Sequence, residues 1–309
     1  MLAGIDISGD IFDGHIENGK TFQFENDEKK LPALVRALKG VRRVLMEATG
    51  THHLLVAEYL HSKGFEVVVI NPGLAKHYME YRSRKNKTDK VDAGLLCEMA
   101  KDESHRLWKP DTKGRKMLKG FLRVRNDLVR QRSAKKAQLE TPDITSFEKA
   151  YYAKEITRLK AEVMELDKEL EKFIQSSEEF SDDAELLMSV PGLAAVGAAM
   201  ILGHLPKDVE TAKQAASFVG IAPKLNQSGK FKGRTTLSKK GHSGLRRQFF
   251  LSAWSASRIE GPLKAFYDNI FARTKSKKSA MCALAHKLVR IAFGVLKAKQ
   301  KYDPNVLTT

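Results

Sequence analysis

Four carboxylates stand where a metal-dependent attack on a phosphodiester would need them. Asp6 ends or nearly ends a first apolar strand pattern, and Glu47 lies near the end of a fourth. Asp89 and Asp92 are three apart at the start of a predicted helix, KTDKVDAGLLCEMA, so both carboxylates face one way. In a sheet whose first and fourth strands are neighbours, the carboxyl ends of those strands lie side by side. A helix crossing them brings the Asp pair within reach. Four oxygen donors converging there would suit two Mg²⁺ ions, hard cations held by carboxylates and phosphate oxygens. Two such ions, about 3.5–4 Å apart, would activate the attacking oxygen and stabilise the leaving one. The adjoining RSRKNK (Arg82, Arg84, Lys85, Lys87) supplies the cations that a nuclease needs beside its metals to hold a polyanion. A plainer reading stands next to this one. A chain with 37 acids has some near strand ends, and Asp-x-x-Asp at a helix start stabilises the helix dipole by itself.

A second candidate is Ser228, in the stretch KLNQSGKFKGRTTLSKKGHSGLRR. That stretch holds eight basic residues and no acidic one in 24 positions: Lys224, Lys230, Lys232, Arg234, Lys239, Lys240, Arg246 and Arg247. Gly229 and Gly233 permit unusual backbone torsions and close approach of a phosphate. A serine there fits a nucleophile on phosphorus, conserving bond energy in a phosphoserine ester. It fits equally a phosphate-contacting hydroxyl, with Ser238 and Ser243 competing for either role, and on this segment alone an ordinary polar loop serine is the favoured reading. No general base adjoins Ser228; His242 is fourteen residues away and reads also as structural. His52-His53 reads as a helix start rather than a ligand pair.

The elements that must position these residues follow from periodicity. Met1–Ile7, Ile11–Ile16 and Lys20–Glu25 read as strands, with Asp13-Gly14 and Asn18-Gly19 as turn signals. Asp27–Leu38 and Thr51–Lys63 carry helical spacing, whereas Arg43–Thr49 and Phe65–Asn71 read as buried strands, the latter ended by Pro72-Gly73. Three strands, a helix, then strand, helix, strand, helix is the order of a ribonuclease-H-like α/β domain, although pattern alone admits other mixed α/β folds. From about Gly114 the β signal disappears. Lys116–Leu139 is a basic amphipathic helix pattern, and Ile156, Leu159, Val163, Leu166, Leu170 and Phe173 make a heptad seam. This is a helical hairpin or short coiled coil, useful for dimer contacts or as a spacer; ordinary two-helix packing is the alternative. Leu186–Val190, Leu193–Leu205, Thr211–Val219, Ser243–Ile259 and Ser279–Lys299 are helical by pattern.

Composition narrows the partners. At 309 residues, two or three domains are expected, and 42% hydrophobic residues fill a real core. Lys plus Arg is 54 against 37 acids, a formal charge of +17. The usual polyanion for such a chain is nucleic acid, with an anionic membrane surface competing. The run from Asn269 to Lys301 also lacks any acid. One charge run is as readily a solvated face, but two in one region favour a phosphate backbone. Cys97 and Cys282 make no disulfide framework or zinc site unaided, which fits a reducing compartment. MLAGIDISGD lacks the apolar run of a signal peptide, and no stretch approaches the roughly 18–20 uninterrupted apolar residues of a membrane span. The expectation is a soluble intracellular protein.

Several segments, in this order, resemble the DEDD transposases of insertion sequences: MLAGIDIS, LMEATGTHHLL, VINPGLAKHY, RKNKTDKVDA, SVPGLAAVGA, FVGIAPKLNQSGKFKGRTTLSKKGHSGLR and LVRIAFGVLKAKQKYD. That family includes bridge-RNA-guided recombinases and Piv-type DNA invertases. The resemblance covers nearly the whole chain. It implies a RuvC-like metal-binding domain over residues 1–112, a helical coiled-coil linker over 113–181 and a mainly α-helical transposase domain over 182–309. It assigns the four metal-binding acids to Asp6, Glu47, Asp89 and Asp92, and the nucleophile to Ser228 rather than Ser238. It implies Mg²⁺ and no nucleotide cofactor, because transesterification conserves the phosphodiester energy. The implied partners are double-stranded donor and target DNA, a structured guide (bridge) RNA and further copies of the chain, as a homodimer or homotetramer, with no membrane. The serine and the metal site would come from different subunits, in the cytoplasm of a bacterial or archaeal cell. Basic residues Arg82, Arg84, Lys85, Lys87, Lys230, Lys232, Arg234, Lys239, Lys240, Arg246 and Arg247 would contact nucleic acid. One departure is Pro191-Gly192-Leu193-Ala194, where the family has Pro-Gly-Ile-Gly; without the second glycine, a tight turn packing two helices is the favoured reading. A junction nuclease using the same acids, and a non-catalytic nucleic-acid-binding protein, are the rival functions.

Overall fold

The apolar patterns of the first seventy residues resolve into five strands: β1 (Leu2–Ile7), β2 (Ile11–Ile16), β3 (Thr21–Glu25), β4 (Arg43–Glu47) and β5 (Glu66–Ile70). They form one mixed sheet in the order β3-β2-β1-β4-β5. β1 pairs antiparallel with β2 and parallel with β4, so its two edges face hairpin and crossover connections respectively. Helices cover both faces. Ala3, Ile5 and Ile7 point into a core completed by Leu34 and Leu38 near α1 (Leu31–Ala37) and by Val56 and Leu60 of α2 (His53–Ser62). Leu45, Val68 and Ile70 point the other way, against Ala75 of α3 (Pro72–Tyr81) and Leu96, Met99 and Ala100 around the end of α4 (Asp89–Met99).

The structure is a computed structural model, and it describes residues 1–48, 50–82, 89–224, 227–228, 231–232 and 236–306. The chain divides into two compact units, Met1–Asp111 and Thr112–Thr309.

Three local expectations for the first unit change. Asp13-Gly14 is no turn; both residues lie inside β2, and a Cβ on Gly14 would stand 1.9 Å from the Phe22 ring. Pro72-Gly73 does follow the end of a strand, but it also opens a helix that the pattern did not give, α3, with Asn71 accepting the Gly73 N–H at 2.8 Å and Pro72 in the first turn. The run 27–38 opens on a 3₁₀ turn, Glu28–Lys30, before α1.

The second unit is mainly helical. α5 (Lys113–Leu139) and α6 (Ser146–Ser176) form an antiparallel hairpin, joined by a short loop that ends in a Thr145/Glu148 capping box. Leu118 and Leu122 of α5 share a core with Leu170 and Ile174 of α6, and Arg125 pairs with Asp167 across the hairpin at 2.5 Å. The rest is α7 (Ser181–Met188), α8 (Ala195–His204), α9 (Ala212–Val219), α10 (Ser243–Ala256), α11 (Pro262–Thr274) and α12 (Lys277–Ala298). α11 has no counterpart among the helices expected from pattern; like α3 it starts on a proline in its first turn. The β signal also returns, in β6 (Pro223–Lys224), β7 (Gln227–Ser228), β8 (Phe231–Lys232) and β9 (Thr236–Leu237). α12 is long and apolar enough to cross a membrane by length and composition, yet Leu284, Leu288, Val289 and Val295 belong to the core of this unit. Pro191-Gly192 makes a tight turn against α10: Gly192 has φ +89°, and a Cβ there would lie 2.4 Å from the Ser252 carbonyl oxygen. Packing, rather than contact with phosphate, accounts for that glycine.

Candidate active site

The carboxylates are positioned by one strand pair and one helix. β1 and β4 run parallel with Ile5 opposite Met46, so the next residues, Asp6 one short of the end of β1 and Glu47 at the end of β4, come in step. Both lie on the sheet face that α4 covers, as Gly4 and Leu45 two residues before them do. Gly4 is where helix and strand touch. A Cβ there would stand 2.2 Å from both Ala93 O and Cys97 N, so only glycine lets α4 lie this close to β1. The Cys97 thiol reaches the Leu2 carbonyl at 3.5 Å. Cys97 therefore sits over the start of β1 and Ala93 over its middle, and α4 runs antiparallel to the strand. Its first turn lies toward Asp6.

Asp92, in that first turn, is 8% exposed; Asp6 and Glu47 are half-buried. All three make polar or ionic interactions with their surroundings. Asp89 is the first residue of α4, and its side chain lies outside what the structure describes. Among the described residues, no group of three or more His, Cys, Asp or Glu side chains converges on a metal-sized point. The donor set is nonetheless that of a hard divalent cation: carboxylate oxygens from adjacent strand ends, without sulfur.

Sequence reasoning missed Asp13. It lies directly opposite Asp6 in the β1–β2 ladder, on the same face, and is 4% exposed. Its carboxylate accepts from Gln23 Nε2 of the next strand through both oxygens, at 3.0 and 3.2 Å. The available signal was the alternation of Phe12, Gly14 and Ile16, which runs unbroken through the supposed turn.

Ser228 sits on a small ribbon in the other unit. β6 pairs with β9, and β7 with β8, so that Ser228 stands opposite Phe231 and Gln227 opposite Lys232. The ribbon's base is tightly built. Arg246 donates to the carbonyls of Val219 and Lys239, both at 3.2 Å; Gly220 and Gly241 take positive φ, where a Cβ would strike the Arg246 guanidinium and the Phe218 carbonyl respectively. Ser238 Oγ accepts the Lys240 N–H at 3.3 Å, and Ser243 begins α10. His242 caps α10, its Nδ1 accepting the Leu245 N–H at 3.0 Å, and burial holds its imidazole below the ordinary pKa.

The basic residues divide. Lys239, Lys240 and Arg247 are exposed. Arg82 pairs with Glu98 at 2.9 Å and lies over the Tyr78 ring, while Arg246 is committed to backbone carbonyls. Arg84, Lys85, Lys87, Lys230 and Arg234 lie outside the described residues, as does the side chain of Lys232.

Comparison with known proteins finds matches in both units. A DEDD-type transposase model matches residues 3–141, and a model described as the transposase IS116/IS110/IS902 family matches residues 184–268. A pilin gene-inverting protein of Moraxella bovis is 26% identical over 316 residues, covering 98% of each chain. The transposase for insertion sequence element IS1111A of Coxiella burnetii is 23% identical, covering 97% of this chain and 91% of its own. That for IS1328 of Yersinia enterocolitica is 24% identical, covering 82% and 83%.

Proposed function

The chain belongs to the DEDD transposases of insertion sequences, the family of the IS110-type transposases and the pilin gene invertases, and from that premise we propose an RNA-guided DNA recombinase with a serine nucleophile. The observation that carries the reading is the alignment of Asp6 and Glu47 at adjacent parallel strand ends, on the sheet face beneath the acidic first turn of α4. In this reading the first unit is RuvC-like, and Asp6, Glu47, Asp89 and Asp92 hold Mg²⁺. Bound Mg²⁺ would supply Lewis-acid stabilisation of charge on the phosphate oxygens. Ser228 Oγ loses its proton and bonds to phosphorus. One deoxyribose oxygen leaves the phosphorus and takes up a proton, so the ester count is conserved and no nucleotide is consumed. Rejoining reverses the step with a different strand's hydroxyl.

Three further parts complete the proposal. The ribbon's cations Lys230, Lys232, Arg234, Lys239 and Lys240, with Arg247 and the Arg82–Lys87 segment, hold DNA and a structured guide RNA through their phosphates. The α5–α6 hairpin serves as a coiled-coil spacer between metal and serine domains. Strand exchange requires a dimer or tetramer, with Ser228 of one subunit acting at the acids of another.

Covalent trapping tests the core of this reading. The protein is incubated with Mg²⁺, RNA transcribed from the flanks of its element and labelled DNA, then run on a denaturing gel. A DNA–protein adduct is expected, lost in Ser228→Ala and in Asp92→Ala, with RNA binding in Asp92→Ala kept within about three-fold. Cleavage without an adduct, unaffected by Ser228→Ala, would instead identify a metal-dependent nuclease.

A further inference from the structure

An open groove of about 1230 Å³ runs along α12 in the helical unit. One row of that helix lines it, each residue four after the last: Lys278, Cys282, His286, Arg290, Gly294 and Ala298. Facing them are Phe266 of α11 and the base of the ribbon, Pro223, Thr236 and Leu237.

Charge says what the groove takes. Residues 211–309 hold 20 Lys and Arg against 3 acids, whereas residues 1–210 hold 34 of each, so the whole excess lies in this last third. The groove is lined by five of those cations and by one acid, Asp303. The floor, by contrast, is apolar, and Lys287 Nζ stands 4.4 Å from the centre of the Phe266 ring at its edge. An apolar floor under a cationic rim suits a strand whose bases are free to lie on the floor while its phosphates meet the rim. A duplex keeps its base faces stacked and has no use for the floor.

Gly294 is a second, independent observation. It sits well inside a 22-residue helix, exposed, with nothing within 4 Å of where its Cβ would be. No backbone torsion calls for glycine there, and glycine weakens a helix interior relative to alanine or leucine. What its missing side chain preserves is space in the groove.

We propose that this groove seats an unpaired DNA strand, bases against Phe266 and the open surface at Gly294, phosphates along Lys278, Lys287 and Arg290. Ser228 lies five residues from Pro223 at the groove wall, at most about 17 Å of extended chain. The strand so held is then one presented for exchange; that link rests on the recombinase reading, whereas the groove's ligand does not.

The test is fluorescence anisotropy with the full chain and a labelled oligothymidine of about twelve nucleotides, beside a duplex and an RNA of the same length. In Gly294→Leu the new Cβ meets no atom within 4 Å, so the side chain takes up space that the groove now leaves open. The variant is expected to weaken single-stranded DNA binding about ten-fold or more, to leave duplex binding within about two-fold, and to hold or raise the melting temperature. Lys278→Ala combined with Lys287→Ala is expected to reduce the slope of log affinity against log salt by about 1.4. Unchanged oligothymidine affinity in both variants overturns the proposal. So does an equal loss for the duplex, a groove-dependent preference for RNA, or a change of oligomeric mass in Gly294→Leu with oligonucleotide binding intact. The adduct assay separates the two readings. Groove binding without any Ser228 adduct sinks the recombinase and leaves the groove, and an adduct with groove-independent binding does the reverse.

Discussion

At the scale of single residues, Gly4 decides whether the carboxylates meet. Its hydrogen occupies the only space between β1 and the backbone of α4, and the atoms a Cβ would strike are Ala93 O and Cys97 N, which no rotamer change can move. Gly4→Ala is therefore expected to cost about 1–3 kcal/mol or more, read as a lower midpoint in urea with an unchanged slope. A midpoint within error of the parent would mean that α4 is not seated on β1 as described. Nothing in the local pattern marks Gly4 in this way, since a glycine in LAGID reads equally as a weak spot in a strand. Asp6 and Glu47 were legible because each is a charge near the end of a short apolar run that reads as a strand. Asp13 was not, because Asp-Gly is a strong turn signal. Only the neighbouring strand shows that Phe22 needs the room beside Gly14, and that Gln23 neutralises the polar demand of Asp13.

At the scale of elements, prolines and caps explain most of the differences. Pro72 and Pro262 each open a helix, and each reads in isolation as a stop. The helices with capping boxes, α6 and α9, stood out by their periodicity and began where Thr145 and Thr211 place them. α10 is capped instead by a titratable group. His242 accepts the Leu245 N–H through Nδ1, which requires the neutral ring, and its ring centre lies 4.3 Å from that of His204. Burial first, then Lys119 and Arg246, depress its pKa below the ordinary 6.5. The folded chain thus binds fewer protons here than the unfolded chain. The cap's contribution is whole above about pH 6.5 and is lost as pH falls below it. Thermal melts at pH 5 and pH 7.5 check this against His242→Asn, which caps without titrating. The wild type is expected to lose about 1 kcal/mol more than the variant on acidification. Equal losses would refute the role given to His242.

At the scale of the whole chain, charge is partitioned. Residues 1–111 carry 17 Lys and Arg and 17 acids, so the +17 belongs to the second unit, and there to residues 211–309. Nonspecific duplex binding should follow that partition. Lys239→Ala, Lys240→Ala and Arg247→Ala together are expected to lower the salt slope by about 0.9 for each phosphate they cease to neutralise. Lys20→Ala, Lys39→Ala and Lys101→Ala together, equally exposed in the first unit, should leave it unchanged. Equal effects from the two triple variants would show that binding follows net charge and not its location.

The sequence by itself determined that β1 to β5 are strands, most of the helices of the second unit, the seam of α6 and the acid-free basic runs. Each of these is a property of residues near one another in the chain, where period and propensity act. It also determined the family, through motifs that keep their order along the chain. Tertiary structure alone decided that β1 lies between β2 and β4, that α4 runs antiparallel over β1 on Gly4, and that Leu170 and Phe173 of the α6 seam share a core with Leu118, Phe121 and Leu122 of α5. It alone opened a groove at Gly294. The reason is that these outcomes depend on which surfaces exclude each other's water and fit without overlap, and such surfaces join residues tens of positions apart.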